Sequence, residues 1–215
     1  MNTIQLDSIS KKINGEAVLS DVCMEVHSGK IYGIVGKNGS GKSMLFRALA
    51  DLIHLDSGKI FLNDKEVKNG LPRELKLGLI IENINLHMDL NAMDNLLYLA
   101  KINGYISKNE IQETLVRVGL DLDNKKKVKT YSLGMRQKLI IAQAIMEKPD
   151  ILLLDEPTNA LDAESVQQLY RILKEEAARG AIILVASHSQ DDIEVLCDDV
   201  FYMKNGILSS QMEDK

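Results

Sequence analysis

The run Gly36-Lys37-Asn38-Gly39-Ser40-Gly41-Lys42-Ser43 sets two glycines five positions apart, then a lysine and a hydroxyl residue. That spacing suits a loop that curls around phosphate. Glycine lets the backbone turn until its N–H groups converge on anionic oxygens, and a helix starting there adds partial positive charge. In such a loop Lys42 reaches the β- and γ-phosphates of a nucleotide, and Ser43 ligates Mg²⁺. A second chemical feature is the apolar run Ile151 to Leu154, which ends in Asp155 and Glu156. One acid at a strand end can hold a magnesium ion. The next can orient a water molecule or take its proton. Alone, a strand ending in two acids is usually just a solvated strand end. A third feature is Ser132 and Gly134 at the start of an amphipathic segment, where a plain helix cap competes with an anion site.

These residues need particular elements to position them. An apolar strand at Ile31 to Val35 precedes the glycine loop, and a helix over about Lys42 to Leu52 follows it. Further upstream, Ile4 and Leu6, then Val22, Met24 and Val26, alternate with polar residues around Asn14-Gly15, which predicts an antiparallel hairpin. Ile60 and Leu62 before Asn63-Asp64 predict another strand and turn, and Leu77 to Ile81 a further strand. From about Asn91 to Glu147 the pattern is helical, with a capping box at Ser107 and Glu110 and a stop at Pro149. The end returns to α/β. A helix carries Val166, Leu169, Tyr170 and Leu173, a strand runs Ala181 to Ala186, a short helix begins near Ser189, and a hairpin turns at Asn205-Gly206. The expected fold class is α/β: a P-loop NTPase core with an N-terminal antiparallel β layer and an inserted helical subdomain. The chain reads as one domain over 1–215, with core about 1–82 and 150–215 and helices about 83–149.

With these motifs in order, the chain resembles the ATP-binding subunit of ABC transporters over nearly its whole length. The resemblance rests on the Gly36–Ser43 loop, Tyr131-Ser132-Leu133-Gly134-Met135-Arg136-Gln137, Leu154-Asp155-Glu156-Pro157-Thr158, Ala160-Leu161-Asp162 and His188. It implies ATP and Mg²⁺ as ligands. Nucleotide contacts fall to Gly36, Lys37, Asn38, Gly39, Ser40, Gly41, Lys42 and Ser43, and to Ile13, Ser132, Gly134, Gln137 and Asp162. Glu156 and His188 carry hydrolysis, and Ser43, Glu82 and Asp155 hold the metal. By the same resemblance Ser132 and Gly134 meet the γ-phosphate bound to another subunit, and Asp162 lies in the loop crossing that interface. The implied partners are a second copy or a paired ATPase subunit, and an integral-membrane permease. The implied location is cytoplasmic, peripheral on the inner face of the membrane.

Three positions depart from the commonest family pattern. Glu82 stands where a glutamine is usual, Leu133 replaces the first glycine of the signature, and Ile13 stands where an aromatic residue usually stacks on adenine. An aliphatic side chain packs on a base without π-stacking preference, which leaves ATP-over-GTP selectivity open. Glu82 and the form of the 131–137 signature resemble the bacitracin- and lantibiotic-type exporter branch. The segment after Glu82, about Asn83 to Asn95, contains Ile84, Leu86, Met88 and Met93. Two readings stand for these side chains: a docking groove for the permease, or core of the helical part.

Bulk properties narrow the remaining classes. The 215 residues are 45% hydrophobic, enough for a real core, and no apolar run nears the ~20 residues of a membrane span. A formal charge of −5 gives no basic field for nucleic acid, which is not an expected partner. Cys23 and Cys197 match no metal or redox spacing and read as two free structural thiols. The other histidines, His27, His54 and His87, have no comparable motif support. Competing readings are a soluble ATPase of the same type acting in translation or DNA repair, and a P-loop kinase for a small acceptor. The kinase reading leaves the signature and His188 without a role.

Overall fold

Two-residue turns with both residues at positive φ fix the register of the hairpins. The computed structural model describes residues 2–67, 72, 75–81, 86–104 and 106–211. Strand β1 (Thr3–Ile13) pairs antiparallel with β2 (Glu16–His27), Ile13 facing Glu16. Asn14 and Gly15 between them have φ of 51° and 86°. That is the twist a two-residue hairpin requires, and Asn and Gly reach it at least steric cost. After β3 (Ile31–Val35) and α1 (Lys42–Leu49), β4 (Ser57–Leu62) joins β5 (Lys65–Glu66) through Asn63-Asp64, which also have positive φ.

Next come β6 (Leu77–Ile80), then α2 (Ala92–Asn103), α3 (Lys108–Arg117), a 3-10 turn (Val128–Thr130) and α4 (Leu133–Ile145). The chain continues through β7 (Ile151–Asp155), α5 (Ala163–Ala178), β8 (Ile182–Ser187), α6 (Gln190–Leu196), β9 (Asp199–Lys204) and β10 (Ile207–Ser209).

The strands form two sheets, β2-β1-β4-β5 and β10-β9-β3-β8-β7-β6. The first is antiparallel. In the second, β9, β3, β8, β7 and β6 are parallel, and β10 closes one edge antiparallel to β9. Parallel strands are covered on both faces, so β7 and β8 read as unbroken apolar runs rather than alternations. Period-two geometry still divides their side chains. Leu152, Leu154, Ile183 and Val185 join one core with α2 to α5, whereas Ile151, Leu153, Ile182 and Leu184 join another with α1 and the antiparallel sheet. The helical segment thus shares a continuous apolar cluster with one sheet face.

Local physics accounts for the helix ends. Helix α1 stops at Leu49, short of the expected Leu52. Asp51 takes φ 56° and donates its N–H to Ala48 O, while Leu52 N–H reaches Arg47 O. This is a Schellman closure with aspartate where glycine is usual, so the sequence carried no glycine stop signal. The capping box at α3 has both arms: Ser107 N–H donates to Glu110 Oε2 at 2.8 Å, and Glu110 N–H to Ser107 Oγ at 3.3 Å. Buried Asn95 bonds the backbone N–H and C=O of His87 and the C=O of Asn91, pinning the loop before α2.

Leu86 and Met93 pack against the helical core, which settles those two for core, while Met88 is exposed. Ile84 lies outside the described residues. Cys23 and Cys197 are both free, and burial pushes the Cys197 thiol up to about 12. Among the described residues no helix is long and apolar enough to cross a membrane.

Candidate functional site

The C-terminal ends of β3, β7 and β8 lie side by side, and each delivers chemistry. β3 runs into the glycine loop, β7 ends in Asp155, and β8 leads to His188. Ligands of open parallel sheets bind at such strand ends. Here they open on a cleft of about 560 Å³ walled by Asn38, Gly39, Gly41, Lys42, Ser43, Asp155 and Glu156. Gln137 and Ile140 of α4 close it from the helical side, and Val18 of β2 from the antiparallel sheet.

The loop is held from below. Leu45, Phe46 and Leu49 of α1 are buried, each contributing about 1.5–3 kcal/mol of burial energy that fixes the helix N-terminus against the sheet. From beside it, the Asn205-Gly206 turn clamps the loop: Gly206 N–H donates to Ser40 O, and Ser20 N–H to Gly206 O, both at 2.8 Å. Gly36 has no room for a side chain, since a Cβ would collide with the Met203 carbonyl and lie 2.5 Å from Ser40 Oγ. Gly41 takes φ 114°, and a Cβ there would sit 2.7 Å from Val18 O. The terminal hairpin as a wall of the loop is a feature the sequence reading missed. Its signal was only the Asn-Gly turn, which says nothing about what it packs on.

Lys42 is 6% exposed, and its ammonium donates to Gly36 O at 2.7 Å and Lys37 O at 3.3 Å. A buried ammonium needs such acceptors, and phosphate oxygens are the stronger acceptors it can take instead. Ser43 Oγ donates to Asp155 Oδ2, joining the helix start to the strand end. Glu156 is strained at φ 49° while its N–H donates to Ala186 O at 2.8 Å. A non-glycine residue in that region persists only where its surroundings impose it. Its Oε2 bonds His188 Nδ1 at 2.8 Å, whereas its Oε1 is buried without a partner among the described residues. A buried carboxylate oxygen left without a donor is costly, and a water or ligand proton would satisfy it. With Glu156 ionised, Nδ1 of His188 carries the proton, which leaves Nε2 an acceptor on the neutral ring and a donor only on the imidazolium.

The remaining candidates sit elsewhere. Ser132 caps α4, accepting from Met135 N–H at 3.2 Å. Gly134 packs against the loop before α5, where an added Cβ would lie 2.9 Å from Ala160 O. Asp162 caps α5 through Ser165 N–H at 2.8 Å, and the Ser165 hydroxyl and amide hold its carboxyl below the usual carboxylate range. None of the three lines the cleft, so within one chain they meet no phosphate site. Gln137 does line it, with Nε2 donating to Pro157 O at 2.9 Å. Ile13, expected near adenine, is half-exposed at the end of the β1–β2 hairpin and outside the cleft lining. Val18, on the other strand of that hairpin, lines the cleft. Glu82, expected on the metal, lies outside the described residues.

The donors present suit a hard divalent cation. Ser43 and Asp155 offer a hydroxyl and a carboxylate oxygen on the cleft wall, and magnesium takes few protein oxygens when phosphate and water complete its shell.

Comparison with known proteins places this geometry in context. A family model described as ABC transporter matches residues 19–159. The chain is 44% identical over 207 residues to the ABC transporter ATP-binding protein YybJ of Bacillus subtilis, covering 96% of this chain and 95% of that protein. It is 34% identical to the lantibiotic transport ATP-binding protein SrtF of Streptococcus pyogenes, covering 98% of this chain and 90% of that protein. A solved structure of an ATP-binding subunit of an ABC transporter superposes with TM-score 0.84 at 26% identity, over 96% of this chain and 89% of that one.

Proposed function

The chain belongs to the ABC transporter family as an ATP-binding, ATP-hydrolysing subunit, and from that premise we propose how its residues divide the work. The phosphates of ATP lie in the Gly36–Ser43 loop, with Lys42 leaving its two backbone carbonyls for β- and γ-oxygens. Ser43 and Asp155 hold Mg²⁺, with Glu82 as a further ligand. When bound, magnesium supplies charge neutralisation at the phosphate oxygens. Glu156 Oε1 receives the attacking water and takes its proton as the water oxygen bonds to the γ-phosphorus and ADP departs. His188 holds the other carboxylate oxygen through Nδ1 and, as the imidazolium, donates Nε2–H to the γ-phosphate. The observation that carries this reading is the divided Glu156 carboxylate, one oxygen on His188 and the other buried without a partner among the described residues.

A second copy or a paired ATPase subunit completes the site with Ser132 and Gly134 at the start of α4 and Asp162 at the start of α5, which lie outside the lining of their own chain's cleft. The γ-phosphate then holds two subunits together, and hydrolysis removes the contact that favoured the closed state. The residues form one nucleotide-binding domain whose helical part, about 83–149, carries the movement to a membrane permease. Exposed Met88 is the side chain of the 83–95 segment offered to that permease. The protein works at the cytoplasmic membrane face, and its cargo is a peptide, antibiotic or similar compound moved outward; the name of the relative SrtF, a lantibiotic transport ATP-binding protein, supports the class of cargo. Glu156→Gln keeps the shape of the side chain and removes its basicity. The variant is expected to bind Mg-ATP, lose turnover by about 10²–10⁴-fold and accumulate as an ATP-bound dimer on size-exclusion chromatography. Ordinary turnover, or a strictly monomeric variant in saturating Mg-ATP with its permease present, overturns the reading.

A further inference from the structure

A buried carboxylate outside the cleft joins the elements that carry Glu156 and His188. Asp192, in α6, is 8% exposed. Its Oδ2 accepts from Thr158 Oγ1 at 2.7 Å and from Ser187 Oγ at 3.2 Å, and its Oδ1 accepts from the Tyr170 hydroxyl. Thr158 is two residues after Glu156, Ser187 is the residue before His188, and Tyr170 belongs to α5. The donor count closes. Ser187 Oγ accepts from Ser189 N–H at 3.1 Å, so its own proton is available to Asp192, while Asp192 N–H donates to Ser189 Oγ at 3.3 Å. A carboxylate only accepts, so each hydroxyl must point its proton inward, and the orientation of all three is fixed together.

The consequence falls on His188. Its side chain is 64% exposed, and its ring is bonded to Glu156. Packing does not hold that imidazole, so its position depends on the backbone on either side. Ser187 and Ser189 flank it, and both belong to the Asp192 network. The backbone carrying Glu156 is in a strained conformation, and Thr158 ties its following turn to the same carboxylate. We propose that Asp192 is a positioning residue for hydrolysis: it clamps the turn after β7 to the end of β8, and so sets the distance at which His188 meets Glu156. This inference rests on the assignment of Glu156 and His188 to hydrolysis.

The test is a double-mutant cycle on the full chain with Asp192→Asn and His188→Ala, measuring kcat and KM for ATP, nucleotide affinity and thermal unfolding. Asparagine fills the same space but turns one acceptor into a donor. Asp192→Asn is expected to lower kcat by about tenfold, the worth of one charge-assisted hydrogen bond, with KM and nucleotide affinity within about twofold. Asp192→Asn added to His188→Ala should cost less than about twofold more, because Asp192 acts through the placement of that ring. Wild-type kcat in folded Asp192→Asn overturns the proposal. So do losses that multiply across the two positions, which would mark Asp192 as acting independently of His188. Should Asp192→Asn not fold, Thr158→Val removes a single donor and carries the same cycle, read by the same criteria. Full turnover by Glu156→Gln and His188→Ala would instead overturn the assignment beneath it, whatever Asp192 does.

Discussion

Replacing Arg117 with alanine removes the ion-paired tie between the helical segment and α5. Arg117, at the end of α3, donates Nη1 to Glu176 Oε1, and Nη2 to Glu175 Oε2 at 2.7 Å. Its backbone carbonyl accepts from Gln168 Nε2 at 2.7 Å, a bond that survives the change. Glu176 is 3% exposed, and stranding a buried charge costs about 3–5 kcal/mol. Here the stranding is partial, because Arg179 still donates to Glu176 Oε2 at 2.8 Å. What remains is one charge-assisted hydrogen bond, about 1.5–3 kcal/mol. The Glu175 contact adds less than about 1 kcal/mol, since that side chain is 64% exposed. The sum is about 1.5–4 kcal/mol, which lowers Tm by about 3–16 °C in a chain of this size. Urea and thermal unfolding without nucleotide measure it, with Glu175→Ala as the companion expected to cost under about 1 kcal/mol. An Arg117→Ala loss within about 1 kcal/mol of wild type would refute the reasoning, as would equal losses from Glu175→Ala and Glu176→Ala.

Two further changes probe the loop and the exposed methionine. Gly36→Ala forces a methyl group onto the Met203 carbonyl, so the loop must shift; about 1–3 kcal/mol of stability and at least tenfold of ATP affinity should go with it, by thermal unfolding and titration calorimetry. Wild-type affinity would mean that the loop tolerates displacement. Met88→Ala should leave ATPase activity of the isolated chain unchanged and weaken association with permease-containing membranes by ~1 kcal/mol, about fivefold, in a sedimentation assay. Intact association would remove Met88 from the docking surface.

The legible part of the fold was the part written in local chemistry. Asn14-Gly15, Asn63-Asp64 and Asn205-Gly206 each became a two-residue turn, because only a few residues reach two successive positive φ cheaply. The Ser107–Glu110 box formed because both partners lie one helical turn apart. Where the local signal is unusual it is not legible: Asp51 ends α1 from a conformation that asparagine or glycine normally advertises.

The motifs likewise named the groups that could do chemistry at Gly36–Ser43, Asp155 and Glu156 before any geometry was known, because the order of residue types along a loop or strand end sets which atoms can converge there. Tertiary structure alone decided who stands beside whom. It brought β3, β7 and β8 together as neighbours, set His188 on Glu156, laid the Asn205-Gly206 turn against the phosphate loop and gathered three hydroxyls around Asp192. It also put Val18 on the wall of the cleft. These contacts join residues far apart in the chain, and their energies come from burial and from paired polar groups in a shared interior. No window of neighbouring residues encodes such contacts, because the partner that stabilises each group arrives only when distant segments pack.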